Sequence, residues 1–332
     1  MKIFYAVQAT GNGHISRAVE LLPYFQQYGD VDIFLSGSNA SLPTTLPVKY
    51  KSKGVSFFYR KNGGLDYWLT AKRLAPLRTW KEAKELPIEK YDIVINDFES
   101  ITSMACRIKK VKSINFGHQA SFMSKHTPRP AKKDFIGELV LKHYASAATY
   151  VGLHFQRYDD FIYPPVIKDE ILKAEVKNEG HITVYLPHYS DENVLKGLRG
   201  LKSSRGLKFE VFSKVVKEVV AVDNVSFIPV NNSAFNKSMA SSLGVITGAG
   251  FETPAEALYM GKKVMCFPIK GQYEQYCNAE ALKHFNVPVI DSLDESFVSE
   301  FEKWLNNTTI QPLTLSHNTQ QIVEVVMKKG TK

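Results

Sequence analysis

The chain has 332 residues, 44% of them hydrophobic and 23% charged, with no low-complexity tract or short repeat, which excludes a disordered or fibrous protein and predicts two globular domains. No apolar run approaches the ~20 residues of a membrane-spanning helix, the opening run 3–7 turns polar too early for a signal peptide, and Cys106, Cys266 and Cys277 lack CxxC spacing, so a cytoplasmic protein without disulfide or zinc is expected. Residues 1–165 hold 23 Lys and Arg against 14 Asp and Glu while residues 166–332 hold 19 of each, so the net charge of +9 lies wholly in the N-terminal half; dispersed and without a nucleic-acid motif, it points to an anionic acceptor or membrane face, or to solubility alone, and not to nucleic acid.

MKIFYAV reads as a first strand, leading through a Gly-rich turn to a helix over 16–27 and a second strand, VDIFLS, in βαβ order. YDIVIND and KSINFG read as buried parallel strands joined by a crossover helix over 101–109. Tandem Pro164 and Pro165, followed by a mostly charged stretch to Gly180, read as a linker. A second series follows, with strands HITVYL, KFEVFS, VSFIPV, LGVIT and KVMCFP and helices over 191–200, 234–242 and 253–260. The tail over 315–329 sets Ile322, Val323, Val326 and Met327 on one helical side. Two doubly wound α/β domains, over 1–160 and 166–312, are expected, with a terminal helix over 313–332.

The densest motif lies in residues 245–282. After LGVIT, the turn Gly248-Ala249-Gly250 lets backbone approach a ligand closely. A helix beginning near Thr253, with Pro254 in its first turn, offers N–H groups and partial positive charge to a diphosphate, although an ordinary glycine turn before a Thr-capped helix reads the same way. Glu256 lies one turn on, within reach of a ribose hydroxyl pair. Glu274, Gln275 and Asn278 follow KVMCFP with side chains suited to sugar hydroxyls, at strand ends where open α/β sheets bind ligands.

Gly250, Thr253, Glu256-Ala257, Gly261 and Gln275-Tyr276-Cys277-Asn278-Ala279 resemble the donor signature of inverting GT-B glycosyltransferases, the superfamily of the plant UDP-glycosyltransferases and the bacterial lipid II N-acetylglucosaminyltransferase. The resemblance implies two Rossmann-like doubly wound domains facing each other across a cleft. The acceptor then belongs to 1–160 and the nucleotide-sugar donor to 166–312, with 313–332 crossing back to the first domain. Residues 250–253 would hold the donor phosphates, with Gly248 and Ala249 beside them, Glu256 the ribose, and Glu274 with Gln275 the transferred sugar. The implied donor is UDP-linked, and no cofactor or metal is required. The plant branch carries a phosphate-contacting His where Gly248 stands, which leaves one contact unassigned; Ser190 and Ser213-Lys214, on strand-end loops, are substitutes by position. Phe227-Ile228 falls where the family cradles uracil through backbone contacts, although a buried strand end explains both residues equally.

At the other end, MKIFYAV runs into Gln8-Ala9-Thr10-Gly11-Asn12-Gly13-His14, where Gly11 and Gly13 permit an open loop that stands His14 at the sheet's carboxyl edge. The loop resembles the TGGH-type loop of the same family, whose His deprotonates the acceptor in the plant branch; a structural histidine is the alternative. A base needs a carboxylate to hold its tautomer and stabilise its imidazolium. Asp97, closing the strand over 91–96, is the candidate, against the alternative that it caps the helix over 101–109; Ser100 is another cap and Glu99 a competing carboxylate. His118 ends a strand at the same edge, where it would contact acceptor or phosphate. Asp30-Val31-Asp32 spells a metal-binding DxD but opens a strand at the opposite edge, and TGNGHIS lacks the third glycine of a dinucleotide fingerprint. The basic, aromatic stretch over 59–86 is either an acceptor surface or ordinary amphipathic helices packing on the sheet.

These readings describe a glycosyltransferase that moves a hexosyl or N-acetylhexosaminyl group to an acceptor by metal-independent inverting displacement. The acceptor stays unnamed; the charge points to an anionic or lipid-linked one, met at the anionic inner face of a membrane. Two rivals share the architecture. A nucleotide-sugar 2-epimerase would turn the donor over without an acceptor, and a non-catalytic partner would bind a nucleotide sugar or glycan without turnover.

Overall fold

A computed structural model describes residues 1–9, 12–37, 45–54, 76–201, 206–307, 309 and 311–330. The chain divides into two compact units: residues 1–127, 132–166 and 315–332 form the first, and residues 128–131 and 167–314 the second. Gly11 and residues 59–75 of the basic, aromatic stretch lie outside the described residues.

In the first unit the described elements are β1 (Lys2–Gln8), α1 (Asn12–Gln26), β2 (Asp30–Ser36), β3 (Val48–Ser52), α2 (Pro76–Glu85), β4 (Ile93–Asp97), α3 (Ser100–Lys109), β5 (Ile114–Gly117), α4 (Phe135–His143), β6 (Thr149–Leu153) and β7 (Ile162–Tyr163). The strands form one parallel sheet in the order β3-β2-β1-β4-β5-β6-β7. β1 and β4 are buried along nearly their whole length, as strands covered on both faces must be. On one face Phe4, Phe34, Val94, Ile101 and Cys106 make a continuous apolar cluster. The strand order reverses between β1 and β4, where Val7 lies opposite Asp97, and such a reversal opens a crevice at the strands' carboxyl ends.

The second unit contains α5 (Asp169–Leu172), β8 (His181–Tyr185), α6 (Asp191–Arg199), β9 (Lys208–Ser213), β10 (Val220–Val222), β11 (Val225–Pro229), α7 (Asn232–Ser241), β12 (Gly244–Gly248), α8 (Glu252–Tyr259), β13 (Lys263–Phe267), α9 (Tyr273–Leu282) and α10 (Glu295–Asn307). Its sheet runs β10-β11-β9-β8-β12-β13, parallel except for β10. Phe209, Phe267, Phe297, Phe301 and Trp304 dominate the core, and the Trp304 indole donates to the Val264 carbonyl at 3.0 Å, so its one polar atom is satisfied inside. Here the order reverses between β8 and β12, with Thr247 opposite Tyr185. The last helix, α11 (Thr319–Gly330), buries Ile322, Val323, Val326 and Met327 against α1 and strands β4 to β6 of the first unit.

Candidate active site

At the first reversal, α1 begins at Asn12, earlier than the open loop expected from its glycines, so Gly13 and His14 lie in the first helical turn. His14 and Arg17 are then one turn apart and face the same neighbour. That neighbour is Asp97, fully buried at the end of β4. Its Oδ1 lies 2.9 Å from His14 Nδ1, and Arg17 Nη2 donates to Oδ1 at 2.8 Å and to Oδ2 at 2.9 Å. A carboxylate leaves water only when charges and hydrogen bonds replace its hydration. Burial pushes the Asp97 carboxyl upward, but the charges and hydrogen bonds of Arg17 and His14 outweigh it and hold the group below its ordinary value.

The same geometry assigns the His14 tautomer. A carboxylate only accepts, so Nδ1 carries the hydrogen and donates to Asp97; the Arg17 Nη2 hydrogens go to Asp97 rather than to Nδ1, which lies 3.1 Å away. Nε2 is left with its lone pair, as a general base requires, and Gln119 Nε2 approaches it at 3.5 Å. Gly117 makes room for this arrangement. Its φ is +149°, and a Cβ there would lie 2.7 Å from Asp97 Oδ1 and 3.2 Å from Arg17 Nη2.

The other N-terminal candidates fall elsewhere. Glu99, not Asp97 or Ser100, caps α3: its two oxygens accept from the Ile101 and Thr102 amides at 2.9 and 2.6 Å. Burial raises its carboxyl despite those bonds, and as a fully buried cap it is not a competing base. His118, expected to meet acceptor or phosphate, is 1% exposed; its Nδ1 lies 3.0 Å from the Leu153 carbonyl and its ring packs on Phe122 and His154. Asp32 of the DxD sequence is engaged by Lys49 and the Tyr91 hydroxyl, each at 2.6 Å.

At the second reversal, the Gly248-Ala249-Gly250 turn joins β12 to α8. The helix starts at Glu252, one residue before the expected Thr253, and its cap position, Phe251, supplies no side-chain hydrogen bond, whereas α3, α4, α6 and α7 are all capped by side chains. Gly250 has an ordinary φ, and a Cβ built on it meets nothing within 4 Å. Neither a left-handed φ nor a described protein neighbour demands glycine there. Asn278, fully buried, donates to the Ala249 carbonyl at 3.1 Å and so holds the turn rather than facing a sugar.

Two side chains approach this turn. A Cβ at Gly248 would lie 3.7 Å from Gln275 Oε1 and 4.0 Å from His188 Cε1. Gln275 is folded onto its own loop, accepting from the Ile269 amide at 2.9 Å and donating to Gln272 Oε1 at 2.7 Å; Glu274 stands beside it in the first turn of α9. His188 follows β8, and both of its ring nitrogens are buried without a hydrogen-bond partner among the described residues; burial pushes its pKa down to about 4, so the ring is neutral near pH 7. The sequence reading missed it because the family's histidine is sought at position 248, on another strand.

The remaining donor candidates are placed less openly than expected. Glu256 is 2% exposed and engaged by Lys168, whose Nζ lies 3.1 Å from Oε1 and 3.2 Å from Oε2, so the carboxylate expected to meet a ribose is already paired. Ser190 caps α6 through the Asn193 amide. Ser213 is buried, donating to Asp191 Oδ2 at 2.6 Å while accepting from the Val215 amide. Phe227 is not at a strand end: β11 continues to Pro229, Phe227 pairs with Val211 inside the sheet, and its ring belongs to the core. Ile228 lines a separate depression with Glu170 and Glu210.

No helix among the described residues is long and apolar enough to cross a membrane. No curated protein sequence matches the chain. Among solved structures, the spinosyn forosaminyltransferase SpnP superposes with a TM-score of 0.60 at 13% identity, covering 100% of both chains. Arabidopsis thaliana UGT89C1 complexed with UDP gives 0.59 at 12% identity over 98% of this chain and 99% of that one. A UDP-N-acetylglucosamine 2-epimerase gives 0.56 at 16% identity over 100% and 97%. These likenesses establish the fold as GT-B, with two Rossmann-like units. The family model described as "Glycosyl transferase family 1" matches residues 1–306, and on that fold the chain belongs to this family of sugar-transferring enzymes.

Proposed function

We propose that the enzyme transfers a hexosyl or N-acetylhexosaminyl group from a UDP-linked donor to an acceptor hydroxyl, with inversion and without a metal ion. The observation that carries this reading is the His14–Asp97 pair, which leaves Nε2 as the base at a sheet reversal. In the reaction, Nε2 takes the acceptor proton as the acceptor oxygen forms its bond to the anomeric carbon. The bond from that carbon to the diphosphate breaks with its electron pair, and UDP departs. Asp97 steadies the imidazolium, and Arg17 keeps Asp97 ionised. In this reading the departing diphosphate rests on the start of α8 beside Gly250, where helix N–H groups and the His188 imidazole take up the developing charge. The solved complex of UGT89C1 with UDP supports the choice of nucleotide.

The epimerase likeness motivates one second reading, turnover of the donor alone. Incubation with UDP-sugars and an acceptor panel, followed by NMR of the anomeric proton, separates the two. A β-linked product from an α-linked donor is expected. A retained anomer refutes inversion, and an epimerised donor without acceptor refutes transfer.

A further inference from the structure

Helix α4 is built inside out. Only Leu141 of its nine residues is fully buried, while Phe135 is 75% exposed, Ile136 45% and Leu139 42%. At roughly 100° per residue, these three span about 100° of one face, opposite the face that carries Leu141 and Tyr144. A solvated helix turns polar residues outward, so three large apolar side chains gathered there mark a contact surface.

The surroundings say which one. Lys132 and Lys133 immediately precede the helix, Lys142 and His143 end it, and all four are exposed. Lys125 is exposed too, beside Met123, itself 36% exposed. The acidic residues on this helix and at its cap are Glu138, which faces Lys142 at 3.7 Å, and Asp134, which caps the helix through the Ile136 and Gly137 amides; Asp159, hydrogen-bonded to Ser124, adds one carboxylate beside Lys125. An apolar strip framed by lysines, in the half of the chain that carries all of its net charge, matches the interfacial region of an anionic bilayer: the rings and branched chains enter the acyl boundary while the ammonium groups meet the lipid phosphates.

The helix is also tied to the base. Tyr144, which follows α4, accepts from Gln8 Nε2 at 3.0 Å, and its ring lies 5.0 Å from that of Phe98, the residue after Asp97. We propose that α4, with Lys132, Lys133 and Lys142, docks the first unit on an anionic membrane surface, so that the acceptor is one presented at that surface. The statement about the acceptor rests on the transferase reading; the docking does not.

Flotation of the full chain with phosphatidylcholine vesicles, with and without phosphatidylglycerol, tests it. At low salt the anionic vesicles should capture the chain and the neutral ones much less. Lys132→Glu with Lys133→Glu should lower the partition at least about 25-fold, at about fivefold for each lysine. Phe135→Ser with Leu139→Ser should lower it comparably, and as exposed positions they should leave the thermal melt unchanged. Phe135→Cys carrying an environment-sensitive fluorophore should shift to the blue on anionic vesicles, since Cys106, Cys266 and Cys277 are buried and leave the label specific. Equal capture by both vesicles, or unchanged capture of both double variants, overturns the proposal. So does a serine variant that still floats but fails to glycosylate a soluble apolar acceptor, because the strip would then receive an acceptor. Normal docking in a chain that transfers no sugar would leave the membrane seat standing and remove the transferase reading instead.

Discussion

His14 Nδ1 and Asp97 Oδ1 meet at 2.9 Å across 83 residues of sequence, and the contact sits where β1 and β4 part to opposite sides of the sheet order. If His14 is the base, His14→Ala should lower turnover by roughly 10²–10⁴-fold while donor affinity stays nearly unchanged. Asp97→Asn should be slow as well, and the double variant little slower than His14→Ala, because an orienting group has nothing left to orient. Steady-state kinetics on the three variants decides the point: additive losses would assign independent roles.

Arg17 is the partner that keeps Asp97 ionised, so its removal should lower stability at neutral pH and weaken the dependence of stability on acid. Asp97 is held below its unfolded value of about 3.9, so it stabilises the fold above that pH, and this contribution disappears as pH falls through the folded value. Arg17→Met should cost about 3 kcal/mol at neutral pH, the low end for breaking a buried pair because His14 still donates. It should also flatten the stability profile below about pH 4. Denaturant melts from pH 2 to pH 7 read both effects, and a variant with wild-type stability at pH 7 would show the ion pair to be dispensable.

Gly117→Ala places a methyl group 2.7 Å from Asp97 Oδ1 on a backbone that L residues rarely adopt. We expect lower stability together with a fall in kcat, since the displaced carboxylate no longer holds the His14 ring. Unchanged kcat in a folded Gly117→Ala protein would mean that the pair tolerates displacement.

Much of this was legible in the chain. Alternating strand and helix patterns, a glycine turn and a carboxylate closing an apolar strand place Asp97 at the end of β4 and Gly250 in the turn after β12, whereas His14 falls in the first turn of α1 and not in the open loop its glycines suggest. Arg17 is not legible, because an arginine three residues after a histidine looks like any solvated helix position until the helix start and the depth of Asp97 are known. Glu99 misleads because its sequence context suits a base or a cap equally, and only the amides of Ile101 and Thr102 decide. Phe227 misleads for a different reason: two more sheet pairs, Ile228 with Phe212 and Pro229 with Ser213, carry the strand on by two residues, and pattern alone does not fix where pairing stops.

Glu256 offers a test of the donor site from inside its ion pair with Lys168. If the carboxylate takes ribose hydroxyls when the donor enters, Glu256→Gln should weaken UDP binding about tenfold or more, the scale of a hydrogen bond to a charged group. Titration calorimetry with UDP reads this directly. A lower melting temperature with unchanged affinity would reduce Glu256 to a structural partner of Lys168.

His188 occupies the space beside Gly248 with two buried ring nitrogens that find no partner among the described residues, a situation that costs about 1–3 kcal/mol per orphaned group. A donor phosphate at the α8 start would satisfy one of them. His188→Phe should therefore keep or raise stability while weakening UDP binding about tenfold, with a smaller effect on UMP, which lacks the second phosphate. The pH profile supplies an independent check. The folded ring titrates at about 4 and the unfolded one at about 6.5, so between these values the unfolded chain binds a proton that the folded chain refuses, and stability falls as pH drops through that window. His188→Phe removes this contribution and should flatten the profile there, leaving the Asp97 limb at lower pH in place. A last variant tests position rather than side chain. Gly248 has an ordinary φ and room for a Cβ, so Gly248→His in the His188→Ala background returns an imidazole to the same turn from β12. Recovery of UDP affinity in that double variant would show that the site needs the imidazole and not the loop after β8, whereas undiminished affinity in His188→Phe itself would remove His188 from the phosphate site.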